Sequence, residues 1–113
     1  MKHLIRHCFA LDLINDPKLI SAYKKHHENV WPEIIASIKD AGIEKLEIYL
    51  VANRLFMVME VNDGFSFEKK SISDHLNPIV QDWETLMWKY QLELPLAKPG
   101  EKWLLMEKIY ELN

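Results

Sequence analysis

The sequence predicts an α+β fold whose elements follow the order β-α-β-β-α-β. Apolar residues alternate with other residues over 4–13 and 44–51, which is the period of a strand. They recur at helical spacing over 34–41 and 79–90. A capping side chain followed by proline, at 16–17, marks a helix start. Together these patterns favour strands and helices that are interleaved along one chain.

A short turn joins the first predicted strand to the first predicted helix. Residues 4–13 form the strand, because apolar side chains occupy one of its faces at period two. Asp16 is a suitable N-cap, and Pro17 suits the first helical position. We therefore expect a helix from Pro17 to about Asn29.

A second helical segment follows Pro32. The proline disfavours the α conformation at Trp31, so the preceding helix is expected to end or bend there. An apolar stripe over 34–41 then has helical spacing, and Gly42 provides a C-terminal stop.

The middle of the chain has the pattern of a β-hairpin. Residues 44–51 alternate, and residues 55–61 form a nearly continuous apolar run that suits a central strand. Residues 52–54 are a tight connection between them. We expect these two strands to pair.

The last third of the chain repeats the helix-then-strand pattern. A short helix is expected over 66–73, and Asn77 caps a longer one that begins at Pro78. Residues 94–102 contain two prolines and a glycine and are expected to form a loop. Residues 103–110 are expected to form the final strand.

This order of elements is that of a ferredoxin-like fold, with helices on one face of an antiparallel sheet. The 113 residues are expected to form one domain spanning 1–113. The other face of such a sheet would be bare. Because the chain is 49% hydrophobic, we expect a homodimer whose two sheets pack together.

Composition excludes several classes of function. A net charge of -3 argues against nucleic acid or an anionic membrane as a partner. No apolar stretch approaches the roughly 20 residues needed to cross a bilayer. Cys8 is the single cysteine, which fits a reducing cytoplasm, and no Cys/His spacing indicates a zinc site. Three glycines supply no phosphate-binding loop.

The segment from Tyr23 to Glu33 is the most informative part of the sequence. Tyr23, His27 and Trp31 are spaced four residues apart, which places them on one face of a helix. Histidine exchanges protons near neutral pH, and aromatic faces suit the apolar face of a small ring such as a sugar. His27 is therefore the candidate catalytic residue, with Tyr23 and Trp31 as candidate binding residues. The structural alternative is a packed helix histidine beside a tryptophan that plugs a helix junction.

Two further aromatic residues are candidate contacts for a ligand. Trp83 lies on a helical stripe with Leu86 and Met87, and core packing is the alternative explanation for it. Tyr49 lies on the strand face opposite Ile48, so it is expected to face the bare side of the sheet, where a pocket would form.

A set of residues spanning nearly the whole chain matches a known family: Arg6, Phe9, Tyr23, His27, Trp31, Pro32, Glu33, Gly42, Ile48, Tyr49, Leu50, Gln81, Trp83 and Glu107. On these residues the sequence resembles the L-rhamnose mutarotases, which are small sugar epimerases. The resemblance implies a dimeric α/β barrel of ferredoxin-like subunits. It also implies interconversion of the α and β anomers of a 6-deoxy-hexose without metal or cofactor. His27 would be the proton donor, and Tyr23 and Trp83 would contact the sugar.

Two positions depart from the family pattern. Leu46 stands where a second substrate tyrosine is usual, and Glu84 replaces the second member of a tryptophan pair. Because these residues shape the pocket, L-fucose is an alternative substrate to L-rhamnose. Two other functions also remain open. One is an oxygenase on the same fold, with haem on His26 or His27 where it uses that cofactor, and the other is a non-catalytic module that binds a small molecule.

Overall fold

The computed structural model describes residues 3–113. The strands are β1 to β5 in chain order: Ile5–Leu13, Ile43–Val51, Arg54–Val61, Gln91–Leu92 and Leu104–Leu105. The helices are α1 to α4: Pro17–His26, Pro32–Asp40, Phe67–Leu76 and Pro78–Trp88. None of the helices among these residues is long and apolar enough to cross a membrane.

The strands form one antiparallel sheet in the order β2-β3-β1-β4, and β5 also pairs with β1. The central pair, β1 and β3, is in register from Ile5 opposite Val61 to Asp12 opposite Arg54. This arrangement confirms the α+β, ferredoxin-like prediction. Each crossover contains two helices, because a proline-led helix follows the first helix in both halves of the chain.

Side chains on one face of the sheet pack against the helices. Phe9, Leu11 and Leu13 of β1 are 8%, 0% and 0% exposed. Leu55 and Met59 of β3 join them, and all but Leu11 belong to the two apolar clusters that form the core. The period-two pattern of the strands therefore predicts the buried face correctly.

The predicted helix starts are confirmed by their caps. The carboxylate of Asp16 accepts hydrogen bonds from the backbone N–H groups of Lys18 and Leu19, at 2.8 and 3.3 Å. Asn77 caps α4 in the same way. Trp31 has φ -56° and ψ 135°, outside the α region, as expected for the residue before a proline.

Several element boundaries differ from the prediction. Helix α1 ends at His26 rather than near residue 29, and α3 extends to Leu76. Strand β4 was not predicted, because two residues are too few to show a period. The predicted final strand over 103–110 is wrong beyond Leu105.

The short final strand has a physical explanation. Alternation of apolar and charged residues suits a strand, but a strand also needs a neighbour to pair its backbone. Met106 donates its N–H to the carbonyl of Cys8 at 2.8 Å, but the ladder between β1 and β5 ends at Leu105. Within one chain the tail stays exposed, with Ile109 88% and Leu112 82% accessible.

Gly42 makes the turn from α2 into β2 and has φ 97°, a conformation that favours glycine. A Cβ atom there would lie 2.6 Å from the Oδ1 atom of Asn62. That oxygen accepts from Gly64 N at 2.9 Å, and the Asn62 amide donates to Glu44 at 3.0 Å. The asparagine is held on both sides, so it has little freedom to move away.

We expect Gly42→Ala to lower the free energy of unfolding by about 2–4 kcal/mol. About 1–2 kcal/mol comes from the left-handed conformation, and a similar amount comes from disturbing the Asn62 hydrogen bonds. Gly100→Ala is the matched control, because Gly100 has φ 85° but no atom within 4 Å of an added Cβ. Urea unfolding of both variants checks the prediction, and equal losses would contradict the role of Asn62.

Candidate active site

A cavity of about 250 Å³ lies on the helix side of the sheet, beside the end of α1. This volume is slightly below the range of about 300–1,000 Å³ typical of drug-sized ligands, so it suits a smaller molecule. Its wall is mostly apolar, and strands β2, β3 and β4 and all four helices contribute to it. The lining includes Tyr23, His27, Leu46, Met57, Met59, Trp83, Glu84, Met87, Gln91, Lys102 and Trp103.

His27 lies at the C-terminal end of α1 and is half-buried in this wall. Its Nδ1 atom is 2.9 Å from the carbonyl oxygen of Tyr23. A carbonyl only accepts hydrogen bonds, so Nδ1 carries the proton in the neutral ring. The Nε2 atom is then the nitrogen that can take up and release a proton.

The hydrogen bond follows from the end of the helix. The last four carbonyls of an α-helix have no partner within it, and Tyr23 supplies one of them in α1. The backbone N–H of His27 bonds to Lys24 and Lys25 instead. The Tyr23 carbonyl therefore remains free for the imidazole.

The ring of Tyr23 packs against that of His27, with centroids 4.5 Å apart. Its side chain is 4% exposed, and its hydroxyl oxygen accepts a hydrogen bond from Nε2 of Gln91 at 3.3 Å. Burial raises the pKa of Tyr23, and the bond from Gln91 opposes this only in part. The phenol therefore stays protonated at neutral pH and has a hydrogen to donate.

Trp83 of α4 is the second aromatic neighbour of His27, with ring centroids 5.8 Å apart in an edge-to-face arrangement. The sequence predicted Trp31 in that place, but α1 ends before it. Trp31 becomes the N-cap residue of α2 and packs against Trp83 at 5.0 Å. It stands behind Trp83 and is not part of the cavity lining. His27 thus does lie between two aromatic rings, but one of them comes from α4.

Tyr49 is not brought to this cavity. As predicted, it lies on the face of β2 opposite Ile48, is 54% exposed and packs on Phe56 with centroids 6.5 Å apart. The cavity beside His27 lies on the opposite, helix-covered face and does not include Tyr49, so contact of Tyr49 with a ligand stays a prediction. Tyr49 instead lines a separate shallow hollow with Val51 and Met106.

Both positions that depart from the family pattern lie in the cavity wall. Leu46 contributes an apolar side chain from β2. The backbone carbonyl of Glu84 accepts a hydrogen bond from Nζ of Lys102 at 3.3 Å. The Lys102 ammonium also lies over the ring of Trp88, 5.0 Å from its centroid. Burial lowers the pKa of Lys102, and the charge of Glu84 acts in the opposite direction.

The sequence did not single out several cavity residues, among them Gln91, Lys102 and Trp103. Lys102 and Trp103 follow a loop rich in proline, and loop sequences carry no period from which to place a side chain. The sequence indicates the position of Gln91 only weakly, as a polar residue between the apolar residues Tyr90 and Leu92.

Two other polar features near the site have partners of their own. The Nε2 atom of His26 is 3.1 Å from the hydroxyl of Tyr90, so this ring is directed away from His27. A larger cavity of about 420 Å³ between α2 and α3 is lined by neither histidine nor aromatic residues. It contains the ion pair between Lys70 and Asp74, at 2.7 Å, and both of these residues also line the cavity beside His27.

The model of the family described as L-rhamnose mutarotase matches residues 6–112. The chain belongs to that family. It is 42% identical to the L-fucose mutarotase of Xanthomonas campestris over 110 residues, which cover 96% of this chain and 88% of the relative.

Solved structures agree with this assignment. The crystal structure of an L-rhamnose mutarotase from Formosa agariphila has a TM-score of 0.69 at 25% identity, with 96% and 99% of the two chains covered. A dimeric ferredoxin-like protein from an uncultured marine organism has a TM-score of 0.56 at 13% identity, over 100% of this chain and 95% of that one. The second likeness concerns the fold alone.

The buried phenol of Tyr23 should make stability depend on alkaline pH. Burial raises its pKa above the ordinary tyrosine value of 10.0. Between that value and the folded pKa, the native state holds a proton that the unfolded chain has lost, so stability falls as the pH rises. As the pH rises from about 9 to 11, the free energy of unfolding of Tyr23→Phe should therefore fall less than that of the wild type.

Urea unfolding at several pH values measures this slope. Tyr49→Phe is the control for removal of a phenol at an exposed position, and it should keep the wild-type slope. If Tyr23→Phe kept the wild-type slope, the loss of stability at alkaline pH would not come from the Tyr23 phenol.

Proposed function

We propose that this chain is a mutarotase that interconverts the α and β anomers of a 6-deoxy-hexose, either L-fucose or L-rhamnose. The family model carries the name L-rhamnose mutarotase, and the relative at 42% identity carries the name L-fucose mutarotase. The class is therefore a carbohydrate isomerase. The departures at Leu46 and Glu84, both in the cavity wall, make L-fucose the first sugar to test.

The observation that carries the proposal is the hydrogen bond between His27 Nδ1 and the Tyr23 carbonyl. It holds the ring in one orientation and leaves Nε2 as the nitrogen that exchanges protons. A proton carrier in an apolar, sugar-sized cavity is what mutarotation requires.

The proposed reaction opens and recloses the hemiacetal. The bond between the anomeric carbon and the ring oxygen breaks as protonated His27 gives a proton to that oxygen. The anomeric hydroxyl loses its proton to a second acceptor, which leaves an open-chain aldehyde. Rotation presents the other carbonyl face, and ring closure returns both protons.

The chain supplies His27 for the first transfer, whereas Tyr23, a backbone group or water would serve the second. Burial raises the pKa of Tyr23, so the phenol stays neutral at neutral pH, where it can donate a hydrogen bond but is a poor carrier of protons. We therefore assign its hydroxyl to holding a sugar oxygen. Trp83 supplies an apolar ring face beside His27 for the apolar side of the sugar.

We expect His27→Asn to remain folded and to lose about 10²–10⁴-fold of the anomer exchange, the usual contribution of general acid–base catalysis. The asparagine amide can still donate to the Tyr23 carbonyl, so the helix end keeps its cap. Saturation-transfer NMR on L-fucose and L-rhamnose measures the exchange.

His26→Asn is the matched control, because it changes the same residue type one position earlier and removes only the contact with Tyr90. It should retain the wild-type rate. Full activity in a folded His27→Asn protein would refute the catalytic assignment. Sugar binding without faster exchange in the wild type would instead indicate a non-catalytic binding module.

We also propose that the protein works as a homodimer. The bare face of the sheet carries Tyr49, Val51 and Phe56, and Val51 is 72% exposed. The tail beyond Met106 adds apolar side chains at Ile109, Tyr110 and Leu112, which are 88%, 75% and 82% exposed. Adjoining apolar surfaces of this kind are typical of an interface. A second copy of the chain would cover both.

The single cysteine, Cys8, is unpaired and suits our proposed location in a reducing cytoplasm.

The oligomeric state gives a direct test. Sedimentation equilibrium of the wild type should yield twice the 13.4 kDa of one chain. Ile109→Asp should shift the protein toward the monomer, because it places a charge in the proposed interface.

The control is Leu96→Asp, an equally apolar and exposed position (78%) in the loop before β5. It should sediment like the wild type. A monomeric wild type, or equal behaviour of the two variants, would contradict the proposed interface.

A further inference from the structure

Gln91 occupies a fixed position at the edge of the cavity. It lies in β4, where its backbone pairs with Leu13 of β1, and the residue is 5% exposed. Its side chain lines the cavity together with Tyr23 and His27. A strand residue with a buried side chain has little conformational freedom, so its amide is held where it is.

Within residues 3–113, only one of the two polar atoms of the Gln91 amide has a hydrogen-bond partner. Its Nε2 atom donates to the hydroxyl oxygen of Tyr23 at 3.3 Å. Among residues 3–113, no protein group donates to its Oε1 atom, although that atom is buried. Buried polar groups in native proteins almost always have partners, because an unpaired acceptor loses the hydrogen bonds that water would give it.

We propose that Gln91 is a substrate-binding residue whose Oε1 atom accepts a hydrogen bond from a ring hydroxyl of the sugar. The inference rests on the proposed function, because it takes a monosaccharide as the occupant of the cavity. In the same complex, the hydroxyl of Tyr23 donates its hydrogen to a neighbouring sugar oxygen, while its oxygen accepts from Gln91.

The two side chains then form a donor and an acceptor side by side. The acceptor is Gln91 Oε1 and the donor is the Tyr23 hydroxyl, and the 3.3 Å hydrogen bond from Gln91 Nε2 to that hydroxyl holds the two side chains next to each other. Vicinal hydroxyls of a pyranose are complementary to such a pair, since each can donate and accept. Of the described side chains that line the cavity, Gln91 is the one with a buried polar atom that has no hydrogen-bond partner.

The pair also gives the site a means of discriminating between sugars. L-fucose and L-rhamnose share the 6-methyl group and differ in the configuration of ring hydroxyls. The apolar wall of Met57, Met59 and Trp83 cannot detect that difference by itself. A buried polar group can detect the difference, because it has no hydrogen-bond partner when the wrong sugar binds.

The test uses Gln91→Met, which keeps the length of the side chain and removes the amide. Intrinsic tryptophan fluorescence measures the affinity for L-fucose, L-rhamnose and the monodeoxy analogues of the sugar that binds more tightly. We expect about a ten- to hundredfold weaker affinity for the preferred sugar. The wild type should discriminate against the one analogue that lacks the contacted hydroxyl, and Gln91→Met should bind parent and analogue equally.

A second variant keeps the test independent of folding defects in the first. Gln91→Glu retains an oxygen at the Oε1 position, so it should still discriminate between the parent sugar and that analogue. If Gln91 only supported Tyr23, the ratio of the affinities for the parent sugar and the analogue would be the same in Gln91→Met as in the wild type. That result would overturn the inference.

The outcomes separate the inference from the proposed function. If the wild type exchanges anomers and Gln91→Met discriminates among the analogues as the wild type does, the inference alone fails. If neither sugar binds to the wild type, the proposed function fails and the inference fails with it. Loss of discrimination in Gln91→Met together with retained discrimination in Gln91→Glu supports both.

Discussion

The structure of the site depends on how helix α1 ends. A helix that stops at His26 leaves the carbonyl of Tyr23 without a backbone partner, and the ring of His27 supplies one at 2.9 Å. One hydrogen bond thereby caps the helix and fixes the tautomer of the imidazole. The proline at position 32 contributes to this geometry, because it holds Trp31 outside the α region and prevents continuation of a single helix through the segment.

The two halves of the fold supply different parts of the cavity. The first crossover provides Tyr23 and His27, whereas the second provides Trp83, which meets His27 edge to face. Strands β2 and β3 form the apolar floor, and the short strand β4 delivers the amide of Gln91. The ring of Trp31, at 5.0 Å from Trp83, supports the aromatic wall from behind. Both halves of the chain therefore contribute polar groups to the cavity, and the central strands supply most of its apolar surface.

Local patterns were sufficient to predict most of the fold. Strands β1 to β3 show a clear period or an unbroken apolar run, and Asp16 and Asn77 start helices through side-chain caps that a sequence displays directly. Of the residues that line the cavity, the sequence pattern singled out Tyr23 and His27, and the resemblance added Leu46, Trp83 and Glu84. Trp31 was misplaced because helical spacing was extended across the end of a helix. Gln91 and Lys102 were missed because their positions depend on long-range pairing and on a loop, neither of which leaves a periodic signal.

The methionines of the cavity wall have a consequence for the range of sugars that the protein accepts. Met57, Met59 and Met87 line the floor and side of the cavity. Thioether side chains are unbranched and polarizable, so they adjust to surfaces of different shape at little cost. A rigid wall of valine or isoleucine would select one ring pucker and one pattern of axial substituents. A flexible wall of this kind would accommodate sugars of different configuration, so discrimination between them would depend mainly on the polar groups of the lining.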